Sequence, residues 1–153
     1  MKQLTWRLVL PLTVISFGTF TKWWYVLPVD APDTMMAGFP LAWVSEGWWT
    51  SMSLQIFLAE LFFDFLVIFL FWFLLIFLVK CFLKIISVPK ILTVVMLSLS
   101  ALFLALAIFI TTWPEVTFKI KRDWSMQVMV TGYKMTWTTQ DRPDFMKYYP
   151  RKK

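Results

Sequence analysis

The chain contains no histidine and no asparagine, and of its 153 residues one is cysteine and four are glycine. Without histidine it lacks the side chain that titrates near neutral pH and the commonest metal ligand. Haem, catalytic zinc and Ser-His or Cys-His nucleophile systems therefore fall away. A single thiol, Cys81, rules out an internal disulfide. The missing asparagine removes any N-glycosylation acceptor. No glycine-rich phosphate loop, nucleophile elbow or cluster of metal-ligand spacing occurs anywhere, so no catalytic, cofactor-binding or metal residues are assigned and no enzyme activity is expected.

What the chain has is apolar and aromatic side chains, 59% and 20% of the sequence, with a mean hydropathy of +0.69. A soluble domain is closer to about 45–50% apolar. The excess lies in long blocks, and the fold class expected is an integral membrane protein, mainly α, with three transmembrane helices and a small β-rich extramembrane C-terminal region. The spans are placed at about residues 4–21, 54–83 and 91–113, with an outer loop at 22–53, giving a transmembrane domain over 1–113 and an extramembrane region over 114–153. Pro11 removes a backbone donor inside the first block and predicts a kink. Lys2, Arg7 and the apolar stretch behind them also fit a signal peptide, but no Ala-x-Ala pattern follows, so a retained span is expected. Ser87, Pro89 and Lys90 punctuate the sequence between the second and third blocks as a tight antiparallel hairpin. On the third, Ser98, Ala101 and Ala105 form a stripe of small residues suited to helix packing.

Three spans bring Trp23, Trp24, Trp43, Trp48, Trp49 and Trp113 to one side of the membrane, as an aromatic belt requires. Trp23, Trp24, Trp48, Trp49 and Trp113 are the expected interfacial anchors. Lys2, Arg7, Lys80, Lys84 and Lys90 gather on the other side, which predicts a bacterial inner (plasma) membrane location with a cytoplasmic N-terminus and an outer C-terminus.

The second block carries two acids, Glu60 and Asp64. At i and i+4 they share one helix face. An acidic side chain at the centre of a span costs roughly 2.5–3.5 kcal/mol, so a pair asks for a partner or a use. Counting outward from Lys80 through about 20 lipid-buried residues puts Glu60 at the outer boundary and Asp64 about 6 Å inside it. At that depth the pair reads first as structural, matched by a base from the outer face, with Lys22 as the candidate partner. A lipid headgroup or partner helix, and an ion or proton pathway, are the other readings.

The tail alternates as strands. Val116, Phe118 and Ile120 make one, Trp124, Met126, Val128 and Val130 a second, and Tyr133, Met135 and Trp137 a third after a turn at Thr131-Gly132. A three-stranded meander with a basic end at Lys147–Lys153 follows. The outer loop carries one lysine against three acids and the tail nine basic residues against four acidic ones, so the two should attract. The partners expected are the lipid bilayer and other membrane-protein subunits, not nucleic acid. The functional expectation is an accessory, assembly or scaffold subunit of a larger membrane complex. A transport or ion-coupled subunit using Glu60 and Asp64 is the alternative, and a lipid-modifying enzyme using the same carboxylates is the most remote reading.

Overall fold

The computed structural model describes residues 2–29, 31–50, 53–83 and 89–144. Lys84, Ser87 and the basic end Lys147–Lys153, all invoked above, lie outside them. The chain divides into two compact units, one of helices (up to Thr19, and Phe65–Trp113) and one built on a sheet (Phe20–Asp64, and from Pro114 on).

The helical unit begins with α1 (Lys2–Leu4), a π-helical segment (Thr5–Val9) and α2 (Leu10–Thr19). The π segment lies just ahead of Pro11, and the Leu10 amide donates to the Thr5 carbonyl, five residues back. Proline has no N–H and crowds the carbonyl four residues before it, and a wider turn relieves both. The expected first span over 4–21 is not formed. The uninterrupted α-helix is ten residues, about 15 Å long, against roughly 30 Å of hydrocarbon. From Phe20 the chain becomes a strand, because Phe20-Thr21 and Trp23-Trp24-Tyr25-Val26 are dense in aromatic and β-branched residues and find strand partners on both sides.

Among the described residues, two helices are long and apolar enough to cross a membrane: α3 (Leu58–Leu83), over Leu58–Phe82, and α4 (Lys90–Thr111). Only 11% and 6% of their most apolar windows are buried within the protein. Within the helical unit, Trp72 Nε1 donates to Ser16 Oγ at 2.9 Å, and Phe17 meets Phe65 edge-on with centroids 6.0 Å apart. The covered face of α4 is Thr93, Met96, Ser100 and Phe103, at helical spacing, while Ser98 and Ala101 are exposed. The packing seam is therefore turned from the predicted small-residue stripe. Its one fully covered polar group, Ser100, returns its hydroxyl to the Met96 carbonyl.

The sheet unit contains six strands: β1 (Phe20–Pro28), β2 (Thr34–Ala37), β3 (Val44–Glu46), β4 (Leu54–Phe57), β5 (Val116–Lys119) and β6 (Met126–Met135). Their order is β5-β4-β3-β2-β1-β6, antiparallel except for the parallel pair β4–β5. This corrects the expected fold class on both counts. The helices fit to span number two rather than three, and the β region is a six-stranded mixed sheet. Four of its strands come from the segment expected to be a surface loop and the start of the second span. The tail does not form a meander, since β5 and β6 lie at opposite edges. Thr131-Gly132 is not a turn but the middle of β6, where Gly132 faces Trp23. A Cβ there would come within 2.5 Å of the indole nitrogen, so this glycine admits a tryptophan and does not reverse the chain.

The core of the sheet unit is Val26, Met36, Ala42 and Phe57, covered by Trp24, Trp124 and Met126. Arg142, from the tail, pairs with Asp33 at 3.7 Å and with Glu46, giving the opposite charges of tail and loop a specific meeting point. Asp33 also accepts a 3.0 Å hydrogen bond from the hydroxyl of fully buried Tyr25. Burial first, and the Asp33 carboxylate second, push the Tyr25 phenol up to about 12. The folded state thus favours the neutral phenol. Its contribution is complete below the ordinary tyrosine pKa of about 10 and is lost as pH rises towards 12. Denaturant titrations should show a decline on the order of 1–3 kcal/mol across that window. Tyr25→Phe should remove this decline, although the variant starts from lower stability.

Candidate functional site

The first turns of α3 carry Glu60 and Asp64 as expected, and both belong to the sheet unit. The helix start is fixed by backbone bonds: the Phe57 amide donates to the Trp43 carbonyl at 2.8 Å, and the Ala59 amide to the Ile120 carbonyl at 3.0 Å. From that base Asp64 projects under the connection between β2 and β3. Asp64 is fully buried, and its Oδ1 accepts a 2.9 Å hydrogen bond from the Leu41 amide. A carboxylate accepting from a backbone amide makes one of the stronger bonds available to a buried acid.

The loop it holds is tied down elsewhere too. Its Phe39-Pro40 peptide is cis, and Gly38 has φ of 147°. The Gly38 amide donates to the Lys22 carbonyl at 2.9 Å, the Gly38 carbonyl accepts from Trp24 Nε1 at 3.0 Å, and the Trp43 amide donates to the Ala37 carbonyl at 3.0 Å. Leu41 lies where the backbone has left β2 and not yet entered β3, so its amide has no strand to pair with. Asp64 supplies the missing acceptor.

Glu60 is half-buried, and its Oε2 has no hydrogen-bond partner among the described residues, nor has Asp64 Oδ2. Lys22 is elsewhere: its ammonium lies over the Trp24 ring, 3.8 Å from the centroid. Among the described residues no ion pair joins it to either acid. The backbone amide of Leu41 takes the place that sequence reasoning gave to a lysine.

The five tryptophans separate into two groups. Trp23, Trp24 and Trp48 are half-buried in the sheet unit, whereas Trp49 and Trp113 remain 81% and 40% exposed. The first three are packing residues, Trp23 against Gly132, Trp24 on the core, and Trp48 against Trp124 with centroids 5.5 Å apart. Sequence reasoning missed the cluster of Tyr25, Asp33, Glu46 and Arg142, whose only signal was the opposite net charge of the two segments. It also missed Trp124, which alternation alone marked as an ordinary strand residue. No group of three or more Cys, Asp or Glu that could hold a metal ion occurs among the described residues.

Chemically, the arrangement gives Asp64 a clear task, the anchoring of a loop, and leaves Glu60 with one carboxylate oxygen uncommitted. Asp64→Leu should remove the charged acceptor of the Leu41 amide and destabilise the sheet unit by about 1–3 kcal/mol, in line with the loss of a hydrogen bond to a charged group. Asp64→Asn keeps an acceptor oxygen and should cost less than half as much. Equal losses for the two, read by thermal or chemical unfolding, would contradict this role.

No protein-family model, curated protein or solved structure matches the chain.

Proposed function

We propose that the chain is a membrane-embedded, non-enzymatic accessory subunit, anchored by α3 and α4 and presenting its sheet unit to a larger membrane complex. The observation that carries this reading is the exposure of the two apolar helices. A helix that is apolar on nearly every side and uncovered by its own chain needs lipid or other transmembrane helices around it. In the sequence Lys80, Lys84 and Lys90 gather around the connection from α3 to α4, which supports a cytoplasmic position for that connection in a bacterial inner membrane. The segments that flank the hairpin, 20–57 and 114–144, then follow on the outer side. The cytoplasmic N-terminus expected from three spans goes with the third span.

The partners in this reading are the bilayer and other membrane-protein subunits. Extraction in a mild detergent, followed by light scattering of the chromatographed particle, tests it. A defined complex with at least one other subunit is expected. A particle containing a single 18.2 kDa chain and detergent alone would overturn the accessory role. The uncommitted oxygen of Glu60 favours the ion-coupled alternative as a second reading. Glu60→Gln separates the two, since an accessory subunit should still assemble and leave ion flux unchanged.

A further inference from the structure

We propose that a cleft in the sheet unit, walled by Trp48 and Trp124, binds a saccharide of mono- or disaccharide size. The cleft is an open one of about 360 Å³ between the end of β1 and the residue after it (Pro28, Val29), the β3–β4 connection (Trp48) and the segment leading into β6 (Asp123, Trp124, Ser125). That volume is at the lower end of the roughly 300–1,000 Å³ typical of small-ligand sites.

The chemistry of the walls narrows the ligand. The two indoles pack on each other, 5.5 Å apart and tilted by 52°, and the parts of them that line the cleft are rigid aromatic surface of the kind that packs on the C–H face of a pyranose ring. Trp48 Nε1 and Trp124 Nε1 are both shielded from water, and neither has a hydrogen-bond partner among the described residues. A buried N–H left unpaired is costly, and tryptophan can only donate. Both tryptophans line the cleft, where a hydroxyl or ring oxygen of a ligand is the type of group their N–H lacks. Asp123 and Ser125 offer acceptors for the donors of the same hydroxyl groups.

A wholly apolar ligand would leave the two indole donors unpaired. An anion is disfavoured because the local cations are already engaged. Lys119 Nζ is paired with Asp123 at 2.8 Å, and the same Lys119 contact holds the Asp123 carboxyl below its ordinary range. Arg122 donates to the Trp124 carbonyl and lies 5.6 Å from the centre of its ring. A neutral ligand with an apolar face and many hydroxyl groups satisfies all these walls together.

The test uses the full chain in an amine-oxide detergent, which carries neither sugar nor phosphate. The indole N–H resonances of Trp48 and Trp124 are assigned by Trp48→Phe and Trp124→Phe. They are then followed by NMR during titration with cellobiose, maltose, N,N′-diacetylchitobiose, inorganic phosphate and glycerol-3-phosphate. At least one disaccharide should shift both resonances saturably. Trp124→Phe, which keeps a ring but removes the donor, should weaken binding roughly three- to tenfold, the effect of one lost hydrogen bond. Asp123→Asn should weaken it by a similar factor, and Trp49→Phe should leave it unchanged. The proposal is overturned if no disaccharide moves either resonance, or if both Trp124→Phe and Asp123→Asn bind as the native chain does. It is equally overturned if only phosphate or glycerol-3-phosphate shifts them, which would make the cleft a lipid-headgroup site.

Discussion

Phe57→Ala should destabilise the sheet unit by about 3–5 kcal/mol, the usual cost of emptying a large aromatic site in a core. Phe57 is the last residue of β4, immediately before α3, and it is fully buried. It packs with Val26 and Met36 from two other strands and with Ala42 from the β2–β3 connection, and Trp124 meets it edge-on at 6.2 Å. Residues from four separate stretches of chain thus converge on one ring, so no single side chain can move to fill the hole. At about 2–4 °C per kcal/mol for a chain of this size, the midpoint should fall by roughly 8–15 °C, followed by the near-ultraviolet circular dichroism of the packed tryptophans. Phe57→Leu, which keeps most of the volume, should lose less than half of that. A loss for Phe57→Ala within about 0.5 kcal/mol, the range of ordinary exposed sites, would show that the core is not centred here.

Gly38→Ala should be nearly as damaging, at about 2–4 kcal/mol, for a different reason. Its φ of 147° belongs to a region that side-chain-bearing residues seldom enter. A Cβ at this position would also lie 2.0 Å from the Leu41 carbonyl oxygen and 2.7 Å from the Trp43 nitrogen. Both obstacles are backbone, so relief requires the loop to open, and opening it withdraws the Leu41 amide from Asp64. The two sites should therefore be coupled. In a double-mutant cycle, Gly38→Ala with Asp64→Leu should cost less than the sum of the single variants by 0.5 kcal/mol or more, as an order of magnitude for residues in one network. Strict additivity would mean that the loop keeps its course without the glycine and that Asp64 anchors something else.

How much of this was legible in the sequence depends on the range of the interaction. The two apolar helices were legible because hydropathy over 20 residues is a local property, and α3 and α4 end close to the predicted bounds. The first block misled because its residues near the boundary, Thr19 to Val26, fit either a membrane interface or a strand. Tryptophan and tyrosine favour both settings. Long-range pairing with β2 and β6 decided the matter, and no local pattern records such pairing. The same applies to Leu54–Phe57, whose apolar character joined it to the second helix until its pairing with β3 and β5 separated it.

The acid pair was found by spacing, and its position on one face of α3 follows from helix geometry alone. Its partner was not found, because a backbone amide presented by an irregular loop leaves no trace in residue type. A lysine was the natural guess where the real acceptor need was that of Leu41. Trp124 was overlooked for a related reason. Its role comes from the course of the β5–β6 connection, which brings it onto Phe57 and Trp48, and not from the alternation of the strand it precedes.

Cys81, the single thiol and exposed near the end of α3, gives direct access to the membrane topology. Intact cells expressing the full chain are treated with a membrane-impermeant maleimide, alongside a Cys81→Ser, Gln127→Cys variant that moves the thiol to an exposed position on β6. Cys81 should be protected until the membrane is permeabilised, while the thiol at position 127 should be labelled in intact cells. Labelling of both positions from the same side would contradict the two-span hairpin, and exchange of the two results would reverse its orientation.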